Sequence, residues 1–235
     1  EKVLISFYDR AHREQVGELL GAAGVDMGRV MLRTVPSNDT WARDHGPLTV
    51  VCSGEPLLLD FGFNGWGGKY GYELDNQISR KLYMADAFGN IPMETVNMDL
   101  EGGSIEVDGS GTLLTTARCL LAPTRNPQLT QAQLEARLSE LLGVDRFLWL
   151  RNGHLEGDDT DGHVDDLARF VDARTIVTAV EPDPRDENHR VLADNRRRLA
   201  RARDAQGRPF TIVELPMPAA VVPLPKPLLV WWPLT

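Results

Sequence analysis

Apolar and polar positions fall into short alternating blocks along this chain. Val3, Leu4, Ile5 and Phe7 make residues 2–8 read as a buried strand. Helical spacing follows over 9–23, with Asp9 placed as N-cap and Gly24 as the stop. Residues 30–35 predict a second strand, and 48–52 and 56–61 a strand pair around the Ser53-Gly54 turn. The order then repeats. A helix is predicted over 72–88 and a strand over 94–98. A hairpin of 104–107 and 112–116 turns at Asp108-Gly109-Ser110-Gly111. Residues 129–142 predict a helix with Thr130 and Gln133 spaced as a capping box and Gly143 as the stop. Strands at 146–150, 166–172, 175–180 and 210–215 and a helix at 187–204 complete the pattern.

Strand, acidic turn, hairpin and helix therefore recur, with helices starting about every 60 residues. Units of that size cannot bury a core alone. The repeat predicts an α/β architecture of similar units packed radially, as in a propeller, with the acidic turns meeting at the centre. The plainer alternative is an α+β sheet with accidental spacing. At 221–227 the chain turns Pro-rich and at 228–232 strongly apolar. Such a tail exposes a patch unless a further unit or a partner, such as a second copy in a homo-oligomer, covers it.

Composition narrows the function. In 235 residues, 34 Asp and Glu against 25 Lys and Arg give a net charge of -9. This disfavours nucleic acid as the main partner and suits cationic small molecules. Two cysteines, Cys52 and Cys119, are no disulfide framework and point to a reducing, cytoplasmic setting. Each closes or sits in an apolar, strand-like stretch and reads as a small buried hydrophobe. No apolar run reaches the roughly 20 residues of a membrane helix.

Three segments carry the candidate chemistry: Trp41-Ala42-Arg43-Asp44-His45-Gly46-Pro47, Leu100-Glu101-Gly102-Gly103-Ser104 and Asp159-Thr160-Asp161-Gly162-His163-Val164-Asp165. On an extended segment His163 and Asp165 share one face and can enter one pocket together. A carboxylate beside the imidazole favours its protonated form. Asp44, Glu101 and Asp165 converging would repel one another without a cation. A guanidinium is planar and binds carboxylates in bidentate fashion, and Trp41 and Trp66 offer flat walls to stack on it. Taken singly, each residue has a plainer reading: Asp44 pairs with Arg43, Glu101 shapes a turn, His163 is structural, Trp66 packs. EF-hand spacing would need ligands at Gly157 and Ala168, so a calcium loop is excluded, and no zinc motif occurs. A hard-metal site of carboxylates with His163, serving a metal hydrolase, is the least favoured alternative.

Together with Phe63-Asn64-Gly65-Trp66-Gly67-Gly68-Lys69-Tyr70, these motifs resemble, in order along the chain, the agmatine deiminase and Porphyromonas-type peptidylarginine deiminase family. The resemblance implies a pentein α/β propeller of five ββαβ-type units. Residues 1–235 would be a single pentein-like catalytic domain lacking its last unit. It implies hydrolysis of a guanidinium to a ureido group and ammonia without metal or cofactor, on agmatine or an arginine side chain. A cysteine thiolate attacks the guanidinium carbon. By motif, Asp44 and Asp165 would clamp the guanidinium, His163 would be general acid and base, and Glu101 would orient substrate or His163. Trp41, Trp66 and Asp159 would line the pocket. The family's nucleophile sits in a Gly-rich His-Cys segment near the C-terminus, which these residues do not include, so the chain alone is expected to be inactive. The alternative is a guanidinium binder without catalysis.

Overall fold

A computed structural model describes residues 2–218. The predicted strands form, within about two residues of their expected bounds. β1 (Val3–Phe7) and β2 (Val30–Thr34) pair in parallel across α1 (Arg10–Ala22), whose N-cap Asp9 accepts from the His12 N–H at 2.8 Å. The short helical turn α2 (Ala42–His45) leads into β3 (Leu48–Cys52) and β4 (Glu55–Gly62), which pair antiparallel. After the tight turn α3 (Gly65–Gly68) and helix α4 (Ile78–Met84), β5 (Met93–Asp99) joins β4 in parallel.

The same order returns twice. β6 (Ile105–Val107) pairs antiparallel with β7 (Thr112–Thr116). The turn α5 (Ala117–Leu120) and helix α6 (Gln131–Leu142) precede β8 (Arg146–Leu150), parallel to β7. β9 (Ala168–Asp172) pairs antiparallel with β10 (Thr175–Val180), and across α7 (His189–Arg201) the strand β11 (Thr211–Pro216) pairs with β10 in parallel. Three sheets thus share one plan: an antiparallel edge, a centre and a parallel edge joined by a helix-bearing crossover. β1 and β2 repeat the crossover half of that plan.

Local chemistry explains the good matches. The Thr130–Gln133 capping box forms in both directions, and Gly143 closes α6 in the left-handed conformation at φ 66°. Three expectations need correction. The helix predicted over 72–88 shrinks to a 3-10 turn at Asp75–Gln77 followed by α4. Asp75 turns its carboxylate to the Asn38 and Asp39 N–H groups, and Asn76 accepts from the Phe63 N–H, so these polar residues hold loops. Cys119 lies in the helical turn α5, begun by the Thr116 hydroxyl accepting from its N–H, and not in a strand. Cys52 is exposed rather than buried. The apolar segment at 228–232 lies outside the described residues.

Two main cores sit on either side of β7. Leu113 packs with Leu59, Val96, Leu134 and Leu138, whereas Leu114 packs with Leu150, Ile176, Leu192 and Leu199. All five residues of β7 are buried. By contrast α1 buries no residue, and Val3 in β1 is 59% exposed. Among the described residues no helix is long and apolar enough to cross a membrane.

Candidate active site

Every segment that reaches the site does so just outside a strand end. Asp44 stands on α2 before β3, Glu101 follows β5, and His163 and Asp165 precede β9. All four of Asp44, Glu101, His163 and Trp66 are buried. Asp44 is the hub. Its Oδ2 accepts from the Trp66 indole N–H at 3.0 Å, and its Oδ1 accepts from the Gly103 N–H at 3.0 Å. His163 Nδ1 lies 3.5 Å from Asp44 Oδ1 and 3.9 Å from Asp165 Oδ1. Arg43, the plainer partner offered for Asp44, points elsewhere, to the Ile105 carbonyl and Glu106.

Gly103 lets these groups meet. A Cβ there would lie 2.5 Å from His163 Nδ1, 2.7 Å from Asp44 Oδ1 and 2.9 Å from Asp165 Oδ2. Trp66 adopts φ 55°, a left-handed conformation that costs a non-glycine residue about 1 kcal/mol or more. Its bond to Asp44 and edge contacts with Phe63 and Tyr70 hold it there. His163 and Asp165 do come together, but through a 3-10 turn at Val164–Asp166 and not on an extended strand.

Above them opens a cavity of about 600 Å³, lined by Trp41, Asp44 and Trp66 with Asp39, Asp158, Asp159 and Asp166. Trp41 stands at its rim, 59% exposed. Asp159 is exposed and its Oδ2 accepts from the Tyr70 hydroxyl at 2.6 Å, which raises the Tyr70 pKa. Glu101, His163 and Asp165 lie outside the cavity lining, and Glu101 and His163 are buried.

Burial dominates the electrostatics. It pushes His163 below its ordinary value, against the opposing pull of Asp44, so the imidazole is held neutral and not protonated as its carboxylate neighbours suggested. Burial, then Asp166 and Asp44, raise Asp165 to about 6. Glu101 is raised by burial and pulled back by Arg125. Arg125, which the motifs did not reveal, donates Nε to Glu101 Oε1 at 2.8 Å and Nη1 to Asp161 Oδ2 at 2.7 Å. Its partners are 24 and 36 residues away, and an arginine in a loop ordinarily faces solvent, so no sequence signal marks it.

Among the described residues one group could hold a metal ion: Glu101, Cys119 and His163, with ligand atoms within 4.8 Å of one another. The chemistry suits it poorly. Arg125 occupies one Glu101 oxygen, and burial raises the Cys119 thiol far into its protonated range. A protonated, inaccessible thiol has a direct readout. In native buffer one thiol per chain, Cys52, is expected to react with an aromatic disulfide reagent, and Cys119 only after denaturation. Rapid native reaction of both would contradict this burial.

Fold and site together define a class: a mixed α/β protein of repeated small sheets, with buried carboxylates and a neutral imidazole under an acidic, tryptophan-walled cavity. Residues 1–228 match the Porphyromonas-type peptidyl-arginine deiminase family. This chain belongs to that family. It is 40% identical over 202 residues to the agmatine deiminase of Pseudomonas syringae pv. tomato, covering 83% of this chain and 54% of the relative. Identity to the Stutzerimonas stutzeri agmatine deiminase is also 40%, over 206 residues, 85% of this chain and 55% of that one. Among solved structures, a cysteine-to-serine variant of C. jejuni agmatine deiminase with substrate bound superposes with a TM-score of 0.84 at 36% identity, over 94% of this chain and 62% of that one. The chain thus spans about half the length of the curated relatives it matches.

Proposed function

We propose that these residues form the cation-binding part of a guanidine hydrolase, and that its substrate is agmatine. The observation that carries the reading is the convergence of Asp44, His163 and Asp165 around Gly103, beside the Trp66 indole. Two carboxylates can accept the N–H donors of a planar guanidinium, and the tryptophan walls can stack on it. The acidic cavity favours a dication over a neutral peptide backbone, which supports agmatine over peptidylarginine.

In this reading a thiolate adds to the guanidinium carbon, and the tetrahedral adduct expels ammonia. His163, neutral at rest, takes the proton of the attacking cysteine as the thiolate forms and gives it to the departing nitrogen. It then takes one from the water whose oxygen joins the carbon as the carbon–sulfur bond breaks, releasing the ureido product and the thiolate. Neither cysteine here suits that role: Cys119 is buried and protonated, and Cys52 stands exposed at the end of β3, outside the cavity lining. The nucleophile is therefore assigned to a cysteine that these 235 residues do not supply, and the activity to the whole protein. We read the fold as a pentein propeller in which β1 corresponds to the sheet centres β4, β7 and β10. The shared sheet plan, and the lack of an antiparallel neighbour on β1 among the described residues, support that reading. Residues 1–235 would then be one domain, with its last unit incomplete.

Calorimetric titration of the chain tests the proposal. Agmatine is expected to bind at least about tenfold more tightly than putrescine, its analogue without the guanidinium. The cation needs Asp165 ionised, which holds above about pH 6. Affinity is therefore expected to fall as pH drops through 6, approaching tenfold per unit well below it. Equal binding of the two amines would sink the proposal.

A further inference from the structure

Arg125 is placed where three loops of the site touch, and its side chain is 0% exposed. Besides Glu101 and Asp161 it donates Nη2 to the Thr160 carbonyl at 2.9 Å and Nη1 to the Thr124 hydroxyl at 3.1 Å. Asp161, at φ 69°, is itself held by Lys69 Nζ at 2.7 Å. Gly67, next to Trp66, packs so closely on Arg125 and Thr124 that a Cβ there would collide with both. One planar guanidinium thus bonds the base of the site, the loop before His163 and, by contact, the turn that carries Trp66.

We propose that Arg125 is a positioning residue of this site, fixing Glu101 and tying the 158–163 loop to it. The inference rests on the guanidine-hydrolase reading of the same site. A buried arginine that only filled space would need one carboxylate partner, and desolvating a second is costly. Here the two partners belong to two different functional segments. A rigid fork with five donors can serve both at once, which a lysine cannot.

The arrangement also governs charge. Glu101 faces Arg125, Asp44, Cys119 and His163. Burial drives its carboxyl toward the neutral form, and Arg125 is the cation that opposes this. Glu101 Oε2 is buried without a hydrogen-bond partner, as is His163 Nε2. In return, Arg125, which burial alone would lower, is held above its ordinary value by Glu101 and Asp161.

The test uses the 235-residue chain with carbon-13 in its glutamate carboxyls, Glu101 being assigned by loss of its signal in Glu101→Gln. In Arg125→Met the Glu101 midpoint is expected to rise by at least about one pH unit, and agmatine affinity to fall at least tenfold. Arg125→Lys should fall between that variant and the parent. Asp161→Asn frees the loop and leaves the Glu101 contact. It should weaken agmatine severalfold without moving the Glu101 midpoint. If Arg125→Met does not fold, the Arg125→Lys and Asp161→Asn pair carries the comparison. A folded Arg125 variant with parent-like midpoint and affinity would overturn the proposal. A parent chain that binds no agmatine would end the substrate reading, while the Glu101 midpoint still tests Arg125.

Discussion

Gly103→Ala is expected to cost about a hundredfold in agmatine affinity while leaving a folded protein. Gly103 does not sit at positive φ, so its backbone accepts alanine. The added methyl is the obstacle, because it would lie within 2.5 to 2.9 Å of His163, Asp44 and Asp165 together. Overpacking of this kind costs typically 1–3 kcal/mol, and the three polar groups can yield only by spreading apart. About 2.7 kcal/mol lost from binding is a hundredfold. Gly21→Ala is the control: it lies on α1 with nothing within 4 Å of its Cβ position, and should bind as the parent does. Parent-like binding by a folded Gly103→Ala, measured by calorimetry beside a thermal melt, would remove Gly103 as the meeting point.

Asp44 carries the second large effect. Its two oxygens satisfy the Trp66 indole and the Gly103 N–H, so Asp44→Ala leaves two buried donors unpaired. Each costs about 1–3 kcal/mol of stability. Asp44→Asn keeps the shape and one acceptor oxygen, but its amide nitrogen must face one of the two donors. The expected order is therefore parent, then Asp44→Asn, then Asp44→Ala in chemical denaturation. In binding, both variants lose the carboxylate that faces the cavity, and agmatine affinity should drop about a hundredfold or more in each. Asp44→Asn with parent affinity would show that a neutral acceptor suffices, and the carboxylate-clamp reading would fall.

The sequence was most legible where a local rule decides the structure. Asp9, the Thr130–Gln133 pair and Gly143 each act within a few residues of themselves, and each forms as expected. The candidate site residues were legible because several short motifs point to one chemistry. What escaped depends on distant partners. Asp75 reaches back 36 and 37 residues to Asp39 and Asn38, shortening a helix that periodicity alone extends. α5 is a single turn, too short for any period to show. The charge state of His163 was read from its neighbouring carboxylates, whereas its burial, a property of the assembled fold, decides the direction. Arg125 belongs with these: its role exists only once β5, its own loop and the 158–163 loop are in one place.

The strand buried on both faces has a consequence for folding fidelity. Leu113 and Leu114 are sequence neighbours that serve opposite cores. A slip of one residue in β7 would put one leucine in the other's place and a threonine, Thr112 or Thr115, in the place left behind, so apolar burial resists misalignment in only one of the two cores. The threonines supply the rest. Thr115 donates to the Ser104 carbonyl, Thr116 donates to the Gly162 carbonyl, and the Thr112 hydroxyl accepts from the Ala205 N–H. Each hydroxyl fits one address only, and a shifted strand would leave all three buried and unanswered. Alignment of the central strand is thus policed by its polar residues, and one of them bonds Gly162, the residue before His163.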